Sequence, residues 1–115
     1  MAKHEYQAPR GTTDLLPEEV ARHAAVEERG RRLFETYGYR EIRTPLFEET
    51  RLFNRSIGEV TDVVEKEMFT VARGGESSYS FRPEGTASVV RAYLEHDLPK
   101  RSPFQKFFYI GPMFR

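Results

Sequence analysis

The 115-residue chain contains no cysteine. That excludes disulfides and thiolate metal sites and fits a reducing compartment. His4, His23 and His96 are scattered without ligand spacing, so no zinc site is expected. Net charge is also missing: eighteen basic and eighteen acidic residues cancel, and no global field draws the protein to nucleic acid or membrane. There is no apolar run of membrane-spanning length, and the opening MAKHEYQAPRG lacks the hydrophobic stretch of a signal peptide. The expectation is a cytoplasmic protein without membrane contact. Apolar residues are sparse too, at 38% against 31% charged, where charged residues usually make up roughly 25%. A chain of this size forms one domain and buries only about 65% of its unfolded surface. So lean a core implies completion by further chain or by a partner.

Pro17 suits the first position of a helix, and Glu18 and Glu19 suit its positive end. Val26, Gly30, Leu33 and Tyr37 then repeat on one face with Phe34 beside them, predicting a helix to about Tyr37. Glu18/Arg22, Glu27/Arg31 and Glu28/Arg32 are each spaced to pair along its solvated side. Gly30 weakens a helix interior, which predicts a close neighbour there. Gly38 ends the helix, Tyr39–Thr44 alternates as a strand, and Pro45 stops it at an edge. PLFEETRLFNRSIG reads as a short helix and EVTDVVEKE as a charged loop. Met68–Ala72 and Ser78–Phe81 flank RGGES as a β-hairpin. Ala87–Glu95 reads as a helix, LPKRSP as a loop and Gln105–Ile110 as a strand. Phe107, Phe108 and Tyr109 put aromatics on both faces of that strand, predicting a partner supplied from outside these residues. The pattern is α+β, built on antiparallel pairing.

Between hairpin and helix lies FRPEGT, Phe81–Thr86. A plain turn needs only Pro83 to stiffen the exit and Gly85 to allow a reversal, with Thr86 capping the helix and Glu84 in solvent. In the alternative, Glu84 points into a cleft and, with the Thr86 hydroxyl, holds a substrate ammonium by charge-assisted hydrogen bonds. Residue types alone leave both readings open.

Four segments occur in order: YGYREIRTPLFEE (Tyr37–Glu49), IGEVTDVVEKEMF (Ile57–Phe69), RPEGTASVVRAYLEH (Arg82–His96) and FFYIGPMFR (Phe107–Arg115). Together with RGTTDLLP near the start, they closely resemble the N-terminal part of histidyl-tRNA synthetases, which are class II aminoacyl-tRNA synthetases. The resemblance covers nearly the whole chain from Pro9 onward. It implies a partial class II catalytic core, an antiparallel sheet with flanking helices, truncated within motif 2. Motif 1 would run from about 17 to 47, the RPEGT loop from 82 to 86, and the start of motif 2 from about 105 to 115.

The resemblance also implies roles. Glu84 and Thr86 match the positions that bind the α-amino group of histidine, with Arg82, Pro83 and Gly85 as loop supports. Arg115 matches the motif 2 arginine, a catalytic and nucleotide-binding residue that contacts the α-phosphate of ATP and the carboxylate of the amino acid. A planar guanidinium can bridge those two anions as charge shifts between them. Pro45 would lie at a homodimer interface. Substrates would be L-histidine, ATP and histidine tRNA, with Mg2+ ligands beyond Arg115. Arg43, Glu48, Asp62, Glu65 and Lys66 receive no ligand atom. Lys100, Arg101 and Lys106 form a small basic cluster that reads as a solvated loop rather than an RNA contact.

The rest of motif 2, motif 3, the imidazole-recognising segments and the anticodon-binding domain are absent from these residues, so the segment alone is expected not to aminoacylate. Two non-catalytic readings compete. One is the synthetase-like regulatory subunit of ATP phosphoribosyltransferase, which tends to vary at the loop held here by Glu84-Gly85-Thr86. The other is a dimerisation module without a ligand.

Overall fold

The computed structural model describes residues 5–57, 68–72 and 78–115. The charged loop (residues 59–67, with Asp62, Glu65 and Lys66) and the RGGES turn (73–77) lie outside the described residues. In chain order the elements are α1 (Pro17–Thr36), β1 (Arg40–Glu41), β2 (Phe47–Glu49), α2 (Thr50–Ile57), β3 (Thr70–Ala72), β4 (Ser78–Phe81), α3 (Thr86–Glu95), α4 (Leu98–Arg101) and β5 (Phe107–Phe108).

Helix α1 starts at Pro17 and ends where Gly38 takes φ +80°, the left-handed conformation that closes a helix without Cβ strain. Its predicted apolar face is not covered: Val26, Leu33 and Tyr37 are 72%, 58% and 64% exposed. Phe34 turns inward instead, stacking on Phe108 at 4.8 Å between ring centroids and leaning on Tyr39 at 5.6 Å. Among the described residues Gly30 has no close neighbour; a Cβ there would meet Phe34, at 3.9 Å. Of the three ion pairs expected along α1, Glu28–Arg32 forms, at 2.7 Å. Arg31 leaves Glu27 and reaches across to Glu41 at 3.1 Å, because β1 brings a carboxylate within its grasp.

Two small sheets carry the fold. In the first, β1 and β5 run parallel, Arg40 opposite Phe107 and Glu41 opposite Phe108. Bonds from Arg40 N–H to Lys106 O and from Ile42 N–H to Phe108 O, both 3.0 Å, bracket the pair. This corrects two expectations: the aromatic strand finds a partner within the chain, and the pairing is not all antiparallel. Both strands are also shorter than their alternation suggested. The second sheet is antiparallel in the order β2-β4-β3. The predicted hairpin is its β3–β4 half, with Thr70 opposite Ser80 and Ala72 opposite Ser78. Strand β2 occupies residues read as the start of a helix. Phe47 pairs with Phe81 and Glu49 with Tyr79, so cross-strand aromatic contact outweighs local helical preference.

Helix α2 begins at Thr50, whose hydroxyl bonds Ser78 and Ser80 at 2.7 and 2.8 Å; Thr70 bonds Ser80 at 3.0 Å. Ser80 is fully buried, yet satisfied by this hydroxyl chain. Glu48 binds Arg91 at 3.0 Å, and Arg91 also binds Glu95 at 2.7 Å, which ties β2 to α3. Burial of Arg91 opposes its charge, but the bonds to Glu48 and Glu95 outweigh it and raise its pKa. LPKRSP, read as a loop, contains the single turn α4, entered through Asp97 at φ +50° with Pro99 as its second residue. The basic cluster is dispersed. Lys106 donates to Tyr37 O and sits 5.2 Å from the Tyr39 ring centroid, and Lys100 lies 3.7 Å from Asp97.

Buried hydrophobics among the described residues are Phe53, Ala87, Ala92 and Phe108. The radius of gyration is 17.4 Å, where about 13 Å is usual for this length. The lean composition thus appears as open architecture with exposed apolar faces.

Glu41 links α1 to β1 and titrates accordingly. The Arg31 hydrogen bond, with Arg43 adding to it against an opposing effect of burial, lowers its pKa from the ordinary 4.5. A depressed carboxylate stabilises the fold above its unfolded pKa and loses that contribution as pH falls through the folded one. In a full-length protein carrying this segment, Glu41→Gln is expected to be less stable than wild type at pH 7. The difference should shrink as pH falls below 4.5, read as thermal midpoints across pH.

Candidate functional site

The site is built where β4 ends and α3 begins. Arg82 leaves the sheet with its own N–H bonded to Leu46 O at 2.9 Å. Pro83, buried, fixes the exit, and the chain reaches Thr86 as the first residue of α3. The cap is not the one read from the sequence. Thr86 lies inside the helix, and the N-cap position belongs to Gly85, which has no side chain to offer. Glu84 does the capping: Oε2 accepts the Thr86 N–H at 2.5 Å and Oε1 accepts the Ala87 N–H at 3.1 Å. A carboxylate at the positive end of a helix, taking two of its unpaired donors, is held firmly in place. Ionised, it has about four lone-pair positions, so two remain for a donor from outside.

Gly85 is needed for a reason other than reversal. Its φ is −106° and ψ −16°, a right-handed conformation open to any residue. The requirement is steric, because a Cβ there would stand 2.3 Å from the Tyr109 ring. Tyr109, 37% exposed, lies over the loop with its hydroxyl 3.5 Å from Thr86 Oγ1. Thr86 is exposed and Glu84 half-buried, so an ammonium could approach both oxygens from the solvent side.

Arg82 bonds to other segments. It is 5% exposed; Nε donates to Pro112 O at 3.0 Å and Nη1 to Thr44 Oγ1 at 3.2 Å. Its carbonyl accepts the Phe114 N–H at 2.8 Å, and Phe114 leans on Phe81 at 5.0 Å. Arg115, exposed, follows directly. The structure therefore draws the RPEGT loop and the segment bearing Arg115 to one corner. Pro45, exposed, follows Thr44 at the rim of a cleft of about 340 Å³ whose lining includes Ile42, Thr44, Arg82, Tyr109, Gly111 and Pro112. Thr44, Tyr109 and Gly111 were not singled out from the sequence. For Gly111 the only hint was its place beside Pro112 after an aromatic run. Among the described residues, no three His, Asp or Glu side chains are grouped to hold a metal ion, and no helix is long and apolar enough to cross a membrane.

Residues 11–115 match the model of the histidyl-tRNA synthetase family. The chain belongs to that family. The histidine–tRNA ligase of Moorella thermoacetica is 57% identical over 107 residues, which cover 93% of this chain and 25% of that protein. The chain thus spans about a quarter of the length of the curated relatives it matches. The crystal structure of apo histidyl-tRNA synthetase from S. aureus matches with a TM-score of 0.78 and 43% identity over 96% of this chain and 26% of that one. An ATP phosphoribosyltransferase regulatory subunit/histidyl-tRNA synthetase from Bacillus halodurans matches with a TM-score of 0.81 at 21% identity, over 99% of this chain and 29% of its own. That last likeness is one of fold alone. The α+β arrangement is that of the family's solved structures.

Replacing Gly85 by alanine should force the Tyr109 ring aside and cost roughly 1–3 kcal/mol, read as a lowered denaturant midpoint of a full-length protein carrying this segment. Adding Tyr109→Ala to that variant should recover part of the loss. A Gly85→Ala protein as stable as wild type would contradict the steric account.

Proposed function

We propose that this segment supplies the amino-group end of the histidine site and the first nucleotide contact of a histidine–tRNA ligase. In that reaction a histidine carboxylate oxygen bonds to the α-phosphorus of ATP and the bond to pyrophosphate breaks. The histidyl group of the adenylate then passes to a hydroxyl of the terminal ribose of histidine tRNA, and AMP leaves. The observation that carries the reading is the posture of Glu84: two amide donors hold its carboxylate while two lone-pair positions stay free. In this reading those positions and the Thr86 hydroxyl take the three N–H donors of the histidine ammonium. Arg115 bridges the attacking carboxylate and the α-phosphate, offsetting the negative charge they bring together. Pro83 and Gly85 hold the loop in place. In this reading Mg2+ assists the reaction and is held by other parts of the ligase.

A homodimer belongs to the same proposal. The exposed α1 face of Val26, Leu33 and Tyr37, and the exposed Pro45, support an interface there. A cytoplasmic location is part of the same proposal. The regulatory-subunit alternative rests on fold likeness and predicts no adenylate.

Glu84→Gln removes the charge and keeps one of the two oxygens that cap the helix, so a ligand without an ammonium reports any damage to the loop itself. In a full-length protein carrying this segment, histidine-dependent exchange of pyrophosphate into ATP should show a histidine KM raised roughly 10- to 100-fold, the worth of a charge-assisted hydrogen bond. Imidazolepropionate, which lacks the ammonium, should bind wild type and Glu84→Gln alike. An unchanged histidine KM in the variant would remove Glu84 from the substrate site.

A further inference from the structure

Arg82 is more deeply placed than a loop support needs to be. The residue is 5% exposed, yet the described contacts hold its guanidinium with neutral oxygens, Pro112 O and Thr44 Oγ1, rather than a carboxylate. Burying a cation on neutral acceptors is unfavourable unless its bonds are well made. Its backbone adds two more links, N–H to Leu46 O and carbonyl to Phe114 N–H. Three segments therefore meet on one residue: 44–46, the RPEGT loop, and 111–114. On the third segment the fit is tight. A Cβ on Gly111 would stand 2.5 Å from Arg82 Nη2, so the guanidinium lies directly against the bare backbone.

We propose that Arg82 is a positioning residue that sets where Arg115 stands relative to Glu84, with Gly111 kept free of a side chain to admit its guanidinium. The inference rests on the ligase reading above. Glu84 lies two residues after Arg82 on the loop, and Arg115 lies three residues after Pro112, whose carbonyl Arg82 holds. A residue that only stiffened its own loop would need backbone bonds alone. Here both side-chain bonds reach out of the loop, to segments 30 and 38 positions away in sequence. Lysine cannot replace this, because a single ammonium lacks the fork that spans Thr44 and Pro112 at once. The amino group of histidine and the α-phosphate are thereby registered through one planar group.

The test uses a full-length protein carrying this segment, with pyrophosphate exchange as the readout. Arg82→Lys is expected to lower kcat roughly 10- to 100-fold, as misplacement of a reacting group by about 1 Å does, while moving the histidine KM less than about threefold. Gly111→Ala should give the same split. The double variant should be no worse than the more impaired single one, because both changes act on one contact. Thr44→Val, a milder change, should show a smaller kcat loss with the same KM pattern if Arg82→Lys folds poorly. Deuterium uptake at the Phe114 amide should rise in Arg82→Lys whether or not the protein makes adenylate. Unchanged kcat in an active protein, multiplicative losses in the double variant, or an equal rise in KM and fall in kcat would each overturn the positioning role. A wild-type protein that makes no histidyl-adenylate would instead sink the ligase reading; the Phe114 amide then decides the clasp, and unchanged protection there overturns it.

Discussion

Two amide hydrogens at the start of α3 hold the Glu84 carboxylate, and the organisation of the corner depends on that grip. A free glutamate samples many rotamers and loses about 1.5–2 kcal/mol of side-chain entropy when a ligand orders it. Here folding has already met that cost, so a bound cation would find the acceptor in place. The same arrangement makes a capped turn compatible with a ligand site, since one does not exclude the other. The cap occupies half of the carboxylate and orients the other half.

Long periodic segments were legible. The helix from Pro17, the hairpin around RGGES and the helix after the loop are set by patterns that neighbouring residues share, and each appears close to its expected bounds. Partnerships across the chain were less so. Strand β2 owes its form to Phe81 and Tyr79, thirty or more positions away, and no local reading of LFEETR contains that information. The parallel pairing of β1 with β5 brings together residues 67 positions apart in the register Arg40 to Phe107. In the RPEGT loop the local duties expected of the residues were exchanged. Glutamate capped where threonine was expected, and Gly85 yielded to a ring rather than to a turn, since a side chain's neighbours are set by folding rather than by its place in a motif.

The scarcity of apolar residues has its counterpart in three dimensions. Among the described residues Phe53, Ala87, Ala92 and Phe108 are a small buried set, and one long helix contributes no buried residue. The layers are held instead by polar ties: the hydroxyl chain through Ser80, the Glu48–Arg91–Glu95 bridge and the Arg82 contacts. Such ties are directional and specify alignment more than they add stability. That division suits a segment whose relatives are about four times as long, since remaining layers can add burial to an alignment already specified.

Helix α1 is pinned at one end. Its inward contacts, the Phe34–Phe108 stack and the Arg31–Glu41 bond, lie in its last two turns. A helix of twenty residues is about 30 Å long. It is therefore a lever: a tilt of roughly 10° about the pinned end would sweep the tip near Pro17 through about 4 Å. Whatever rests on the outer arm is mechanically geared to the ring of Phe108, and through the next residue to the phenol lying over Gly85.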